Sequence, residues 1–143
     1  MTALRYLSHG DHPGSPAADG KVGRILVVDD EPGIRKIIRA LLSRHGLEVL
    51  EAADGATALE TYRKAPEGIR LALIDLVMPG MDGIALAREF KRLAPRLALI
   101  VTSGIDFEHR VEELTALGIT DYLHKPFHKA ELLAAIASAQ RHG

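Results

Sequence analysis

Five short apolar segments alternate along the chain with five segments that have the spacing of amphipathic helices. The apolar segments, rich in Val, Ile and Leu, cover residues 25–28, 47–52, 71–74, 97–101 and 120–124. The first, third and fourth are continuously apolar, as is typical of strands covered on both faces, whereas the other two indicate edge strands. Because parallel strands need right-handed crossovers, this repeat predicts a doubly wound (βα)5 fold, an α/β protein with a five-stranded parallel sheet.

The segments between the strands carry helix signals on their faces and at their ends. The first has apolar side chains at helical spacing, at Ile34, Ile37, Ile38, Leu41 and Leu42. The stripe of the third comprises Leu86, Ala87, Phe90 and Leu93. Pro32 suits the first turn of the first helix and Gly46 can end it. Candidate N-caps of the second, third and fourth helices are Asp54, Asp82 and Asp106.

Residues 1–23 differ from the remainder, since they are rich in turn-forming residues and have no apolar periodicity. They predict a disordered tail before a single domain at 24–143. The alternative is that residues 2–7 dock on the domain as a short helix.

Composition excludes several classes of protein. The absence of cysteine excludes thiolate metal sites, iron–sulfur clusters and a cysteine nucleophile. A net charge of −1 provides no general attraction to nucleic acid or to an anionic membrane. No apolar run reaches the ~18 residues of a transmembrane helix, and the first residues lack the apolar core of a signal peptide. We therefore expect a cytoplasmic protein.

Polar side chains follow four of the predicted strands, at the sheet edge where doubly wound folds form their sites. They are Asp29 and Asp30, Asp75, the segment 102–104, and the segment 124–126. Alone, each aspartate could be a helix cap or a turn former. Three carboxylates gathered at one edge repel each other, so a cation or a function must offset the repulsion. Oxygen ligands without His or Cys suit Mg²⁺. Mg²⁺ with Lys125 can neutralise a phosphoryl group in transfer, and a carboxylate can be its nucleophile.

Four segments carry a resemblance to a known family. They are ILVVDDE at 25–31, DLVMPGMDG at 75–83, TSG at 102–104 and YLHKPF at 122–127. In this order and spacing they resemble the receiver domain of two-component response regulators, similar to single-domain chemotaxis-type regulators. The resemblance covers residues 24 to about 140 and implies the flavodoxin-like strand order 2-1-3-4-5.

The resemblance implies the acceptor and its metal site. Asp75 would be the phosphoacceptor. Asp30 would bind Mg²⁺ directly, Asp29 largely through water, and Val77 through its backbone carbonyl, with Asp75 as a further ligand. Mn²⁺ can substitute for Mg²⁺ at such a site.

The resemblance also implies roles around the phosphoryl group. Ser103 and Lys125 would stabilise it, and Ser103 and Tyr122 would form the switch. The Lys125–Pro126 bond would be cis. Val77 and Ile105 would flank the path of the hydrolytic water and slow the loss of phosphate.

A receiver would take its phosphoryl group from a histidine kinase or a histidine phosphotransfer protein. It would signal to a downstream protein, or dimerise, through the face formed by the fourth helix, fifth strand and fifth helix. It would be no enzyme beyond its own phosphoryl transfer and dephosphorylation. No residues remain for an output domain, so we expect a stand-alone receiver or a fragment of a longer regulator.

Three other functions share features of this pattern. A flavodoxin-type cofactor binder would need a hydroxyl- and glycine-rich phosphate loop after the first strand. In this chain that loop is residues 29–33, DDEPG, whose acidic side chains would repel a phosphate. An Mg²⁺-dependent aspartyl-phosphate phosphatase of the haloacid dehalogenase type would need Asp-x-Asp after the first strand, whereas Asp29 and Asp30 are adjacent. A phosphate-independent, receiver-like adaptor would not need all the key positions intact.

Overall fold

The computed structural model describes residues 23–104 and 107–142. Its strands are β1 (Arg24–Val28), β2 (Glu48–Ala52), β3 (Ile69–Asp75), β4 (Ala98–Ser103) and β5 (Tyr122–His124). They form one parallel sheet in the order β2-β1-β3-β4-β5. The predicted fold class, strand order and two edge strands are confirmed.

The helices connect the strands as the repeat predicts. They are α1 (Pro32–Ser43), α2 (Gly55–Lys64), α3 (Gly83–Leu93), α4 (Val111–Ala116) and α5 (Lys129–His142). Two predicted N-caps are confirmed, because Asp54 accepts the N–H of Thr57 at 2.7 Å and Asp82 accepts that of Ala85 at 2.9 Å. These caps satisfy N–H groups that have no partner inside the helix.

The strands are continuously apolar because helices cover both faces of the sheet. Side chains alternate along β1, so Ile25 and Val27 pack in one core with α1 and α5, whereas Leu26 and Val28 pack in another with α2, α3 and α4. Within the second core, the rings of Tyr62 and Phe90 meet edge to face, with centroids 5.7 Å apart. The sheet is thus packed on both faces, with one hydrophobic core on each side.

Two apolar residues predicted on buried stripes are exposed instead. Ile37 is 66% exposed and Leu93 is 41% exposed. Ile37 lies one residue, or about 100° around α1, from the buried Ile38, and Leu93 is the last residue of α3. The buried stripes of α1 and α3 are therefore narrower than the apolar spacing predicts.

The fourth helical segment begins differently from the prediction. A 3-10 helix, Phe107–Arg110, precedes α4, whose first residue is Val111. The predicted cap Asp106 lies outside the described residues. So does the predicted tail except for Gly23, which has a φ of +64° and lies so close to Gly68 that a side chain would meet its carbonyl oxygen at 2.4 Å. Within the part of the chain that is described, no helix is both long and apolar enough to cross a membrane.

Candidate functional site

Three carboxylates meet at the carboxyl edge of the sheet. Val28 pairs with Ile74 in neighbouring strands, so the residues that follow, Asp29 and Asp75, lie side by side. With Asp30 they form a group in which one oxygen from each lies within 4.8 Å of the others. Asp29 and Asp75 are buried, and Asp30 is exposed. The predicted convergence of these three side chains is confirmed.

Lys125 bridges two of the carboxylates from the far side of the site. Its Nζ lies 2.9 Å from Oδ2 of Asp29 and 3.2 Å from Oδ2 of Asp75. The lysine follows β5, and its backbone N–H donates to the carbonyl of Ser103 at 2.8 Å. The Lys125–Pro126 bond is cis, as predicted. One ammonium thus compensates part of the charge of the acidic group.

The charges of the site remain only partly compensated. Burial raises the pKa of the Asp75 carboxyl above its ordinary value, against the opposing charge of Lys125, and the charge of Asp29 raises it further. Burial alone would lower the pKa of the Lys125 ammonium, but its contacts with the two aspartates outweigh burial and raise it. A divalent cation would stabilise the ionised form of Asp75.

Ser103 contributes a buried hydroxyl to the same edge of the sheet. It ends β4 one residue after Thr102, which pairs with Asp75 in the sheet. The side chain is fully buried, and its Oγ has no hydrogen-bond partner among the described residues. A buried polar group left unsatisfied costs about 1–3 kcal/mol. The Ser103 hydroxyl is therefore the buried polar group at this edge whose hydrogen-bonding capacity is unused by the described residues.

Val77 and Gly83 shape the surroundings of Asp75. The Val77 N–H donates to Oδ1 of Asp75 at 3.3 Å, and the Val77 side chain is 65% exposed. Gly83 begins α3 directly against β3, where an added Cβ would lie 2.5 Å from the Asp75 carbonyl oxygen. The sequence assigned no role to Gly83, because the close approach of α3 to β3 is a contact between two elements.

Tyr122, predicted to form the switch with Ser103, contacts the segment between α4 and β5. Tyr122 is half-buried, and its hydroxyl donates to the carbonyl of Ile119 at 2.6 Å. Ile105, predicted to flank the water path, lies outside the described residues.

Two arginines near the site were missed by sequence reasoning. Arg110 pairs with Asp82 at 3.2 Å and so joins the segment before α4 to the cap of α3. Arg35 donates to the backbone carbonyl of Asp29 at 2.6 Å. Because these contacts join residues that are distant in sequence or lie on different elements, no local pattern signals them.

The donor set fits a hard divalent cation. Three carboxylates offer oxygen ligands without nitrogen or sulfur, as Mg²⁺ and Mn²⁺ prefer. Lys125 supplies one positive charge beside these carboxylates, so the group retains a net negative charge when all three are ionised.

The fold and site together define a doubly wound α/β protein with an acidic pocket and a lysine at the switch point of its sheet. The model of the response regulator receiver domain matches residues 25–137. The chain belongs to this family, the receiver domains of two-component response regulators.

Individual relatives support this assignment. The chain is 32% identical over 127 residues to the chemotaxis protein CheY of Treponema pallidum (strain Nichols), covering 88% of each chain. It is 38% identical over 118 residues to a probable transcriptional regulator, ycf27, of Porphyridium aerugineum, covering 82% of this chain but 48% of that one. It thus spans about half the length of some relatives. A receiver domain protein from Clostridium thermocellum superposes with a TM-score of 0.79 at 31% identity, covering 84% of this chain and 95% of that one.

Proposed function

We propose that Asp75 accepts a phosphoryl group from a phosphohistidine of a histidine kinase or histidine phosphotransfer protein. The observation that carries the proposal is the group of three carboxylates within 4.8 Å, bridged by the ammonium of Lys125. A carboxylate between other carboxylates is a poor place for an anion unless cations accompany it. Lys125 supplies one positive charge, and a divalent cation would supply the remainder. With a donor of this kind, the domain would act in the cytoplasm.

In the transfer step, a carboxylate oxygen of Asp75 attacks the phosphorus atom of the phosphohistidine. The new oxygen–phosphorus bond forms as the nitrogen–phosphorus bond breaks, and the imidazole nitrogen takes the electron pair. Lys125 lies close enough to Asp75 to pair with a phosphoryl oxygen, and the Ser103 hydroxyl can donate to another. Lys125 is already held at the site by its two carboxylate contacts, so it needs little reorganisation as charge develops on the phosphoryl group.

Asp29, Asp30 and Asp75, with the carbonyl of Val77, would hold Mg²⁺ or Mn²⁺. When bound, the cation neutralises charge on the phosphoryl oxygens. In the metal-free protein we expect weak binding, because Mg²⁺ keeps several of its waters and uses few carboxylates. Asp30→Ala should abolish binding and Asp29→Ala should weaken it less. A Mg²⁺ titration with equal affinity in Asp30→Ala would refute this ligand set.

Labelling with acetyl phosphate or carbamoyl phosphate tests the acceptor. With Mg²⁺ present, the intact mass should rise by one phosphoryl group. Asp75→Asn should abolish the gain, whereas the matched variant Asp82→Asn should retain it, because Asp82 caps α3. Labelling that survives Asp75→Asn on a residue other than Ser103 would contradict the assignment. A wild-type chain that no donor labels would favour the phosphate-independent adaptor.

Phosphorylation would change the surface formed by α4, β5 and α5, where a downstream protein or a second copy would bind. Ser103 would move toward the phosphoryl group, and Tyr122 would leave the Ile119 carbonyl and turn inward. The phosphoryl group favours this state only through contacts that it makes there, with Ser103 and Lys125. Amide shifts on phosphorylation should therefore cluster on α4, β5 and α5. Shifts confined to α2 would contradict the switch.

The phosphorylated state should be long-lived, because the side chain of Val77 beside Asp75 is apolar. It cannot orient a water by hydrogen bonding, and Ile105 would have the same effect. The variant combining Val77→Asn with Ile105→Glu should lose phosphate faster than the wild type, as followed by intact mass over time. If the double variant decays no faster, the apolar side chains do not set the lifetime.

A further inference from the structure

Asp30 is held in the acidic group only through its backbone. The carboxylate of Asp29 accepts from the N–H of Glu31 at 2.9 Å and from Lys125. That of Asp75 also accepts from Lys125. The exposed Asp30 carboxylate has no hydrogen bond or ion pair to any residue in 23–104 or 107–142. The position of the Asp30 carboxylate therefore depends on the contacts that hold the peptide between Asp29 and Asp30.

Arg35 holds that peptide. Its Nη1 donates to the Asp29 carbonyl at 2.6 Å, while the Asp29 N–H donates to the carbonyl of Ala52, at the end of β2, at 3.1 Å. The Asp29 backbone is thus anchored on both sides. The Arg35 side chain is itself 16% exposed, so its position is defined by packing.

A second carboxylate fixes the guanidinium. Glu51, on β2, accepts Nε of Arg35 at 3.0 Å through Oε1, and Nε of Arg39 lies 2.7 Å from Oε2. Arg39 also donates to the Val49 carbonyl at 3.1 Å. The two arginines of α1 share one anion, but only Arg35 has a hydrogen bond to the Asp29 backbone. Charge-assisted contacts of this kind are stronger and more directional than neutral ones.

We propose that Arg35 is a positioning residue for the divalent-cation site. It fixes the plane of the Asp29–Asp30 peptide and so presents the Asp30 carboxylate to the cation. The proposal rests on the cation site proposed above. Groups that orient metal ligands change affinity by about 10–100-fold when they are removed.

A positioning role and a purely electrostatic role for Arg35 predict opposite changes in cation affinity when Arg35 is replaced. If Arg35 acts only as a positive charge near the acidic group, its removal reduces repulsion and strengthens cation binding. If it positions Asp30, its removal weakens binding. The direction of the change in affinity therefore distinguishes the two effects.

The test is a titration of the metal-free chain with Mg²⁺, followed by amide shifts in NMR. In Arg35→Gln we expect about tenfold weaker binding, with faster hydrogen exchange at the Asp29 amide, which donates to Ala52, before Mg²⁺ is added. The matched control is Arg39→Gln. It also removes one positive charge beside Glu51, but it leaves the contact between Arg35 and Asp29 in place. Its affinity should stay within about twofold of the wild type. Thermal unfolding of each variant accompanies the titration.

Arg35→Lys covers the case in which Arg35→Gln fails to fold. A lysine keeps the charge, but one ammonium cannot reproduce the fork that reaches both Glu51 and Asp29, so binding should still weaken. Equal or stronger binding in the folded Arg35 variants would overturn the positioning role and leave the cation site intact. A wild-type chain without Mg²⁺-dependent shifts would overturn the cation site and this proposal with it.

Discussion

Replacing Ser103 by alanine should stabilise the unphosphorylated protein while impairing phosphoryl transfer. The Ser103 hydroxyl is fully buried, and its Oγ lacks a hydrogen-bond partner in the described part of the chain. Its desolvation costs about 1–3 kcal/mol. The void left by one oxygen atom offsets about 0.5 kcal/mol of the gain. The net effect should be a free energy of unfolding higher by about 1 kcal/mol, or a Tm higher by about 3–6 °C for a domain of this size.

A second serine supplies the matched control. Ser138, in α5, donates its hydroxyl to the Asp121 carboxylate at 2.7 Å, so that hydroxyl is satisfied. Ser138→Ala loses a hydrogen bond to a charged group, worth about 1.5–3 kcal/mol. It regains about 0.5 kcal/mol from the helix propensity of alanine. The two Ser→Ala changes should therefore shift stability in opposite directions.

Urea unfolding of both variants, with acetyl phosphate labelling in parallel, checks this reasoning. Ser103→Ala should label at least about tenfold more slowly, because a donor to the phosphoryl group is missing. If Ser103→Ala destabilises the protein as Ser138→Ala does, the hydroxyl has a partner in solution and the argument fails. If it stabilises but labels at the wild-type rate, Ser103 has no part in the transfer.

Two further predictions concern acid stability and packing beside the site. The Ala85 N–H, with help from Arg110, holds the pKa of Asp82 below its ordinary value of 3.8. The stability from its charge is therefore full above pH ~5 and is lost as the pH falls through that lowered value. In urea unfolding from pH 6 to pH 2, the excess in free energy of unfolding of the wild type over Asp82→Asn should shrink. An excess that stays constant with pH would contradict this role of the Asp82 charge. Gly83→Ala should destabilise by about 2–3 kcal/mol, since its Cβ would meet backbone at 2.5 Å, whereas Gly33→Ala, with nothing within 4 Å, should be neutral or stabilising. Equal thermal midpoints for the two variants would refute the contact.

The sequence by itself determined the architecture of this protein. Continuous apolar runs identified buried strands, and helical spacing identified the crossovers between them, because both patterns lie in consecutive residues. The caps at Asp54 and Asp82 were predictable for the same reason, since a cap and its N–H partner are three residues apart. The meeting of Asp29, Asp30 and Asp75 also followed, since parallel strands end at one edge.

Only the tertiary structure decided which side chains touch. Lys125 pairs with a residue 96 positions away, and Arg35 with one 16 positions away. Such pairs depend on how elements are placed to within about one ångström, which no local periodicity encodes. The burial of the Ser103 hydroxyl without a partner among the described residues, and the exposure of Ile37, are likewise properties of packing. Local patterns specify what each element is, whereas contacts between elements specify how the site is held.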